Sequence, residues 1–285
     1  MALSRQTRRK VTDRVFWAGC VLAFVAIAAP ALSVMISVFH QAMPSIGWSL
    51  FTKTTAGGTF VGIQNAIVGT LLLLLGVLVV AGTIGVAAGI FLAEFAGTGR
   101  MANWLRFFSE VLAGMPSIVI GYIGYVTLVV QFHWGFSLLA AVFALSVLVL
   151  PYIVKTTEVA LRQVPDHYRA AASALGSPRW KTVRSVTLPP AVPGVVSGLV
   201  VALAISTGEL APLLFTAGFS DRNPTLHLLH HQVPYLTNVT FTDLALPGAR
   251  AHATAAAAGA VTLVILLVLI AIGRLIAARA RRIYE

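Results

Sequence analysis

The sequence predicts an all-α, polytopic membrane protein: six transmembrane helices, with a cytoplasmic pair of short helices between the fourth and the fifth. Three observations carry that prediction. Of 285 residues, 58% are apolar and 10% charged, with a mean hydropathy of +0.89, whereas a soluble domain carries about a quarter charged residues. Six apolar runs, near 15–39, 61–92, 107–131, 136–154, 191–217 and 253–273, each reach the ~20 residues that a helix needs to cross a bilayer. When the spans are threaded alternately, all of the 20 Lys and Arg except Lys53, Arg222 and Arg250 fall on one side. That asymmetry places both termini in the cytoplasm. The net charge of +11 therefore reports orientation and does not point to nucleic acid.

Residues 1–14 read as a basic cytoplasmic tail, and 15–285 as one membrane domain. The Arg8-Arg9 pair resembles an export signal, but the apolar run behind it is span-length rather than the 7–15 residues of a signal core, so an uncleaved first span is expected. Cys20, the single cysteine, lies inside that span and reads as a small apolar filler. In the second span, Gly85 and Gly89 form a pair of small residues four apart, which lets another helix backbone come close. In the third, Pro116 removes one helical hydrogen bond and frees the Leu112 carbonyl. At membrane depth such a break is tolerated only against protein or a watery cavity. Glu94 and Glu110 read as interfacial acids near cytoplasmic span ends.

The connection 158–190, EVALRQVPDHYRAAASALGSPRWKTVRSVTLPP, reads as two short helices. The first opens at Pro165 and Asp166, suited to a helix start, and stops at Gly176, the residue type that best accepts a left-handed C′ position. Ser177 and Pro178 suit the start of a second helix over about 179–187, ending before Pro189. Trp180, Val183 and Val186 share one of its faces, while Arg179, Lys181 and Arg184 make the rest basic. A stiff helix pair with an apolar ridge calls for a partner, either another protein or the lipid headgroups.

These residues resemble the EAA motif of ABC importer permeases, in which EAA is followed at fixed intervals by Gly and by Leu-Pro. Ala171, Ala172, Gly176, Leu188 and Pro189 stand at the matching positions; Ala170 stands where the family has Glu, and Val186 where it has Ile. The stretches GGTFVGIQNAIVGTLLL, GIFLAEFAG, GMPSIVIGY and GELAPLLFTAG further resemble PstA-type phosphate permeases, over about residues 57–219. The resemblance implies half of a translocation pathway in the bacterial inner membrane. The implied partners are a second, PstC-like permease subunit, a dimer of ATP-binding subunits and an external phosphate-binding protein, besides membrane lipid. Arg169, Ala170, Ala171, Ala172, Gly176, Leu188 and Pro189 are the implied ATPase-coupling residues. No cofactor is expected in this chain: Gly-Lys never occurs, so there is no P-loop lysine, and ATP and Mg would be bound by the partner. The chain is thus expected not to be an enzyme.

Within 206–218, STGELAPLLFTAG, Glu209 is the lone charge in an apolar span, and an intramembrane acid marks a site by default. Pro212 leaves the Gly208 carbonyl without its helical donor, and Ser206 and Thr207 add hydroxyls. Together with Pro116 and Ser117 these are the candidate substrate-path residues. A carboxylate accepts a hydrogen bond from the P–OH of phosphate, a proton that sulfate lacks, provided that cations nearby offset the charge. PstA-type sequences carry Arg four positions before this Glu; here Ile205 stands there, so the cation must come from elsewhere or the anion differs. A permease for molybdate or sulfate is the nearest alternative. A secondary transporter using Glu209 as a proton relay, or a non-transporting sensory protein on the same scaffold, are further ones.

The external connection 218–252 holds Pro224, Pro234 and Pro247 and fits a docking surface for a binding protein. His227, His230 and His231 would share a face if that stretch were helical, but they read as part of an interfacial segment, and no metal site is expected. Asn238-Val239-Thr240 matches a glycosylation pattern short enough to arise by chance.

Overall fold

The computed structural model describes residues 5–55, 62–97 and 99–284, and the regular elements among them are all helical. Residues 1–4 of the tail, the expected start of the second span at 61 and the stretch 57–61 of the resemblance lie outside the described residues.

Helix α1 (Arg5–Ala42) carries residues 5–14 of the basic tail and the first span as one unbroken helix. No glycine or proline interrupts residues 5–14, and α1 continues through Pro30. Near its C-terminal end, Val38, Phe39 and Ala42 pack against the last helix. A short α2 (Trp48–Thr52) leads to α3 (Gln64–Ile90), whose helical path continues as a wider π-type turn over Phe91–Phe95.

The centre of the fold is α3 against α6 (Leu138–Arg162) and α9 (Leu188–Gly208). Leu73, Val77, Leu145, Val149, Ile153 and Leu203 fill that core. Gly85 and Gly89 are the points of close approach. A Cβ added at Gly85 would stand 2.8 Å from the Ile153 Cβ, and one at Gly89 2.5 Å from the Thr157 Cβ. The small pair thus sets the α3–α6 spacing, by the packing logic of membrane helices. Helix α12 (Ala249–Tyr284) runs along α9 and closes the bundle.

Three boundaries differ from expectation. The third span, expected as one helix over 107–131, is broken: α4 (Arg100–Ala113) meets α5 (Ser117–Gly124, extended by a π-type turn over Tyr125–Gln131) at 102°. Residues 107–113 therefore belong to a transverse helix. Gly114 and Met115 make the turn and Pro116 starts α5, where its missing N–H costs nothing. Secondly, the fourth span runs through Arg162, well into the expected loop.

Thirdly, the second loop helix does not end before Pro189. A short α8 (Arg179–Thr182), a π-type turn over Val183–Thr187 and α9 form one continuous path, with proline in the first turn of α9. The wide turn absorbs the two missing donors of Pro189 and Pro190 without ending the helix. The expected helix pair is therefore α7 (Asp166–Ala174) and the N-terminal end of the fifth span itself. Gly176, at φ +70°, ends α7 in the left-handed region, as expected.

Candidate functional site

Helix α9 stops at Glu209, whose backbone turns extended (ψ 136°), and helix resumes at α10 (Ala211–Thr216). The Glu209 carbonyl left free by the break accepts a hydrogen bond from Thr237 Oγ1 at 2.9 Å. Thr237 belongs to α11 (Leu236–Ala245), in the connection between the fifth and sixth spans. The Glu209 side chain lines a cavity of about 230 Å³ together with Leu112, Ala113, Met115, Ser117, Leu148, Tyr152 and Ile205. The Ser117 side chain lies against the Glu209 carboxylate. The α4–α5 break and the α9–α10 break are thus brought face to face.

The other expected path residues are placed differently. Ser206 Oγ donates to the Ala202 carbonyl at 3.0 Å and Thr207 Oγ1 to the Leu203 carbonyl at 2.7 Å, both buried. Their protons are spent on their own helix, a competition that the sequence alone leaves open. Pro212 is buried against α5, where a Cβ on Gly121 would come within 2.7 Å of its Cα. Pro116 starts α5, and Gly208 ends α9; neither lines the cavity.

A second cavity, of about 260 Å³, shares Ala113 and Tyr152 with the first and continues along α4 and α6 to Arg106, Ser109, Glu110, Lys155 and Glu158. Glu158 is held by two arginines of the chain. Arg106 Nε donates to Glu158 Oε1 at 2.9 Å, and Arg162 Nη2 lies 2.9 Å from the same oxygen. Lys155, one helical turn beyond Tyr152, has no carboxylate partner among the described residues. It lies just past the expected end of the fourth span at 154; α6 continues through it and leaves it exposed on the wall of that cavity.

At the loop, Arg169 turns inward. Its five N–H donors make five hydrogen bonds: Nε to Glu94 Oε2 (3.3 Å), Nη2 to Glu94 Oε1 (2.8 Å) and to the Leu161 carbonyl (2.8 Å), Nη1 to the Val164 carbonyl (2.7 Å) and to Asp166 Oδ1 (3.2 Å). Hydrogen bonding to Glu94 raises the guanidinium above its usual value. Glu94 is thus no interfacial acid: its side chain is 8% exposed and doubly bonded. Nothing in the local sequence pairs positions 94 and 169; only the packing of α3's end under α7 does. Ala172 is buried, whereas Ala171 and Leu175 differ, Leu175 being 87% exposed. Trp180 (62%) is exposed beside it in the same loop. Leu188 and Pro189 open α9.

The histidines at 227, 230 and 231 do not sit on a helix; 221–235 is irregular, and no set of three or more metal-ligating side chains converges among the described residues. Asn238 is buried and accepts from Thr242 Oγ1 at 2.7 Å, which is no place for a glycan. The sequence reading passed over Asp243. It is fully buried on α11, neither carboxylate oxygen has a hydrogen-bond partner, and burial pushes its pKa up to about 6.

The family described as binding-protein-dependent transport system inner membrane component matches residues 85–282, and the chain belongs to it. The phosphate transport system permease protein PstA 2 of Mycobacterium bovis is 46% identical over 278 residues, covering 98% of this chain and 92% of its own. The PstA permease of Yersinia pestis is 40% identical over 189 residues, 65% of this chain and 63% of its own. In fold, an inward-facing MetNI methionine ABC transporter matches with a TM-score of 0.57 at 20% identity, over 78% of this chain and 96% of that one. The chain is accordingly a multi-pass permease subunit of the inner membrane, not an enzyme, and its family works with an ATPase subunit and a substrate-binding protein.

Proposed function

We propose that this chain is the permease subunit of an ATP-driven phosphate importer and forms half of its pathway. The observation that carries the reading is the extended identity to PstA permeases, set beside a chamber in which the Glu209 carboxylate stands against the Ser117 hydroxyl. Glu209 accepts a P–OH proton and Ser117 donates to a phosphate oxygen. Lys155 supplies the positive charge that Ile205 cannot, from the inner cavity joined to the chamber through Tyr152. Opposite charge there offsets the repulsion between Glu209 and an anion.

The outer face of the loop, with Ala170, Ala171 and Leu175 beside the basic stretch around Trp180, docks the ATPase. ATP and Mg belong to that partner, a second PstC-like subunit completes the route, and both termini lie in the cytoplasm. The test is uptake by the assembled transporter in cells lacking other phosphate importers. Glu209→Gln is expected to lower phosphate uptake at least tenfold and to narrow the preference for phosphate over sulfate. Unchanged uptake and preference would remove Glu209 from the route. Preferred uptake of molybdate or sulfate by the unaltered protein would replace phosphate with another oxyanion, the reading that Ile205 favours.

A further inference from the structure

The mechanical question left by the site is how a stroke on the loop reaches a chamber far along the bundle, and two arginines suggest an answer. Arg169 uses every donor it has within the chain, so it has none to offer a docked ATPase. What it binds spans three elements. The Leu161 and Val164 carbonyls lie at the C-terminal end of α6, where helix carbonyls lack intrahelical partners. Glu94 lies in the π-type turn that ends α3. Asp166 and Arg169 itself belong to α7.

The same turn of α3 is held from its other side. Arg106 Nη2 donates to the Leu92 and Gly97 carbonyls, at 3.3 Å each, while its Nε holds Glu158 on α6 and its Nη1 holds Asn103 on α4. Arg106 lies on α4, and the far end of α4 is chamber wall: Leu112 and Ala113, then Met115 and Ser117 beside Glu209. An unbroken series of charge-assisted contacts therefore runs from α7 through Arg169 and Glu94 to the 91–95 turn, and on through Arg106 and α4 to the wall opposite Glu209. A π-type turn at the junction is a known place for a helix to flex. Bidentate arginine–carboxylate bonding fixes direction as well as distance, which a lysine in its place would not.

We propose that Arg169 and Glu94 are positioning residues that convert displacement of the coupling helix into displacement of α4 and the chamber wall, and that Arg169 does not contact the ATPase. This rests on the importer reading above. Spatial continuity alone does not establish coupling, so the test must measure coupling.

The experiment uses the complete transporter in proteoliposomes, with the amount of bound ATPase subunit, ATP hydrolysis and phosphate accumulation measured on the same preparation. For Glu94→Gln and for Arg169→Lys, the expected result is ATPase subunit retained within twofold, hydrolysis within threefold, and phosphate moved per ATP lowered at least tenfold. The double variant, Glu94→Gln with Arg169→Lys, is expected to lower that ratio no further than the more severe of the two single changes, because both remove the same tie. Loss of the ATPase subunit, a parallel fall in hydrolysis and uptake, or an unchanged ratio would each overturn the proposal, since the pair would then serve docking, folding or nothing measurable. An unaltered complex that hydrolyses ATP without moving phosphate would overturn the phosphate reading, and the tie's role in it, by a different signature.

Discussion

Two regions of this bundle face the same difficulty and resolve it in opposite ways. At the Glu209 chamber and at the ends of α3 and α6 that meet α7, helices break and leave polar groups inside a largely apolar protein. At those helix ends the charged groups are bound within the chain: Arg169 and Arg106 cap carbonyls and pair with Glu94 and Glu158. In the chamber the backbone is satisfied by Thr237, but the Glu209 carboxylate has only Ser117 against it, and Lys155 below has no carboxylate partner. Saturated polar groups hold structure together; unsaturated ones facing a cavity are available to something that passes through.

That contrast predicts different outcomes for two cations that line one cavity. Arg106→Gln leaves Glu158, with a side chain 6% exposed, dependent on the more exposed Arg162, and should destabilise the protein by about 3 kcal/mol. A clear fall in the thermal transition of the detergent-solubilised complex checks it. Lys155→Gln, by contrast, should leave that transition within a degree or so and lower phosphate uptake several-fold. If both variants lost stability alike, the division into bound and available charge would fail.

Asp243 sharpens the comparison, because it is buried and unpartnered yet lines neither cavity. It makes no ion pair among the described residues, and burial alone drives its shift. Its pKa stands at about 6 in the folded protein against an ordinary 3.8. The folded state therefore holds the proton more tightly than the unfolded one. That advantage is complete below pH 4, erodes as pH rises, and is gone above about pH 6. Asp243→Asn should raise stability at pH 8 by about 2 kcal/mol and change it little at pH 4. Melting curves at the two pH values decide it; equal shifts at both would show that ionisation is not the cause.

The smallest expected effect concerns geometry without charge. Gly176 has open space around its missing Cβ, so only its positive φ resists substitution. Gly176→Ala should cost about 1 kcal/mol, felt locally as weaker ATPase retention and not as loss of the bundle. A large drop in the global transition would mean that the loop supports the core, contrary to the picture of a projecting coupling element.

Much of this was legible along the chain. The spans, the small pair Gly85–Gly89, the stop at Gly176 and the isolation of Glu209 follow from hydropathy, side-chain size and backbone preference, each of which acts over a few neighbouring residues. The errors have a common form. The 107–131 run is apolar but for Glu110 and a few small polar side chains, and hydropathy does not distinguish a straight span from α4 and α5 meeting at 102°. Pro189-Pro190 reads as a helix stop unless a π-type turn precedes it, which it does here.

What the sequence determined by itself was the class of the protein, its all-helical, multi-span character and the resemblance in its loop, since these depend on composition and local order. What only the tertiary structure decided was which polar groups are already taken. Arg169 looked like a surface residue of a coupling loop and is instead consumed by Glu94, 75 positions away; Lys155 looked like one more loop cation and is instead unpaired beside the chamber. A hydrogen bond's partner is set by proximity in space, and the sequence of a helical bundle does not state which helix ends will meet.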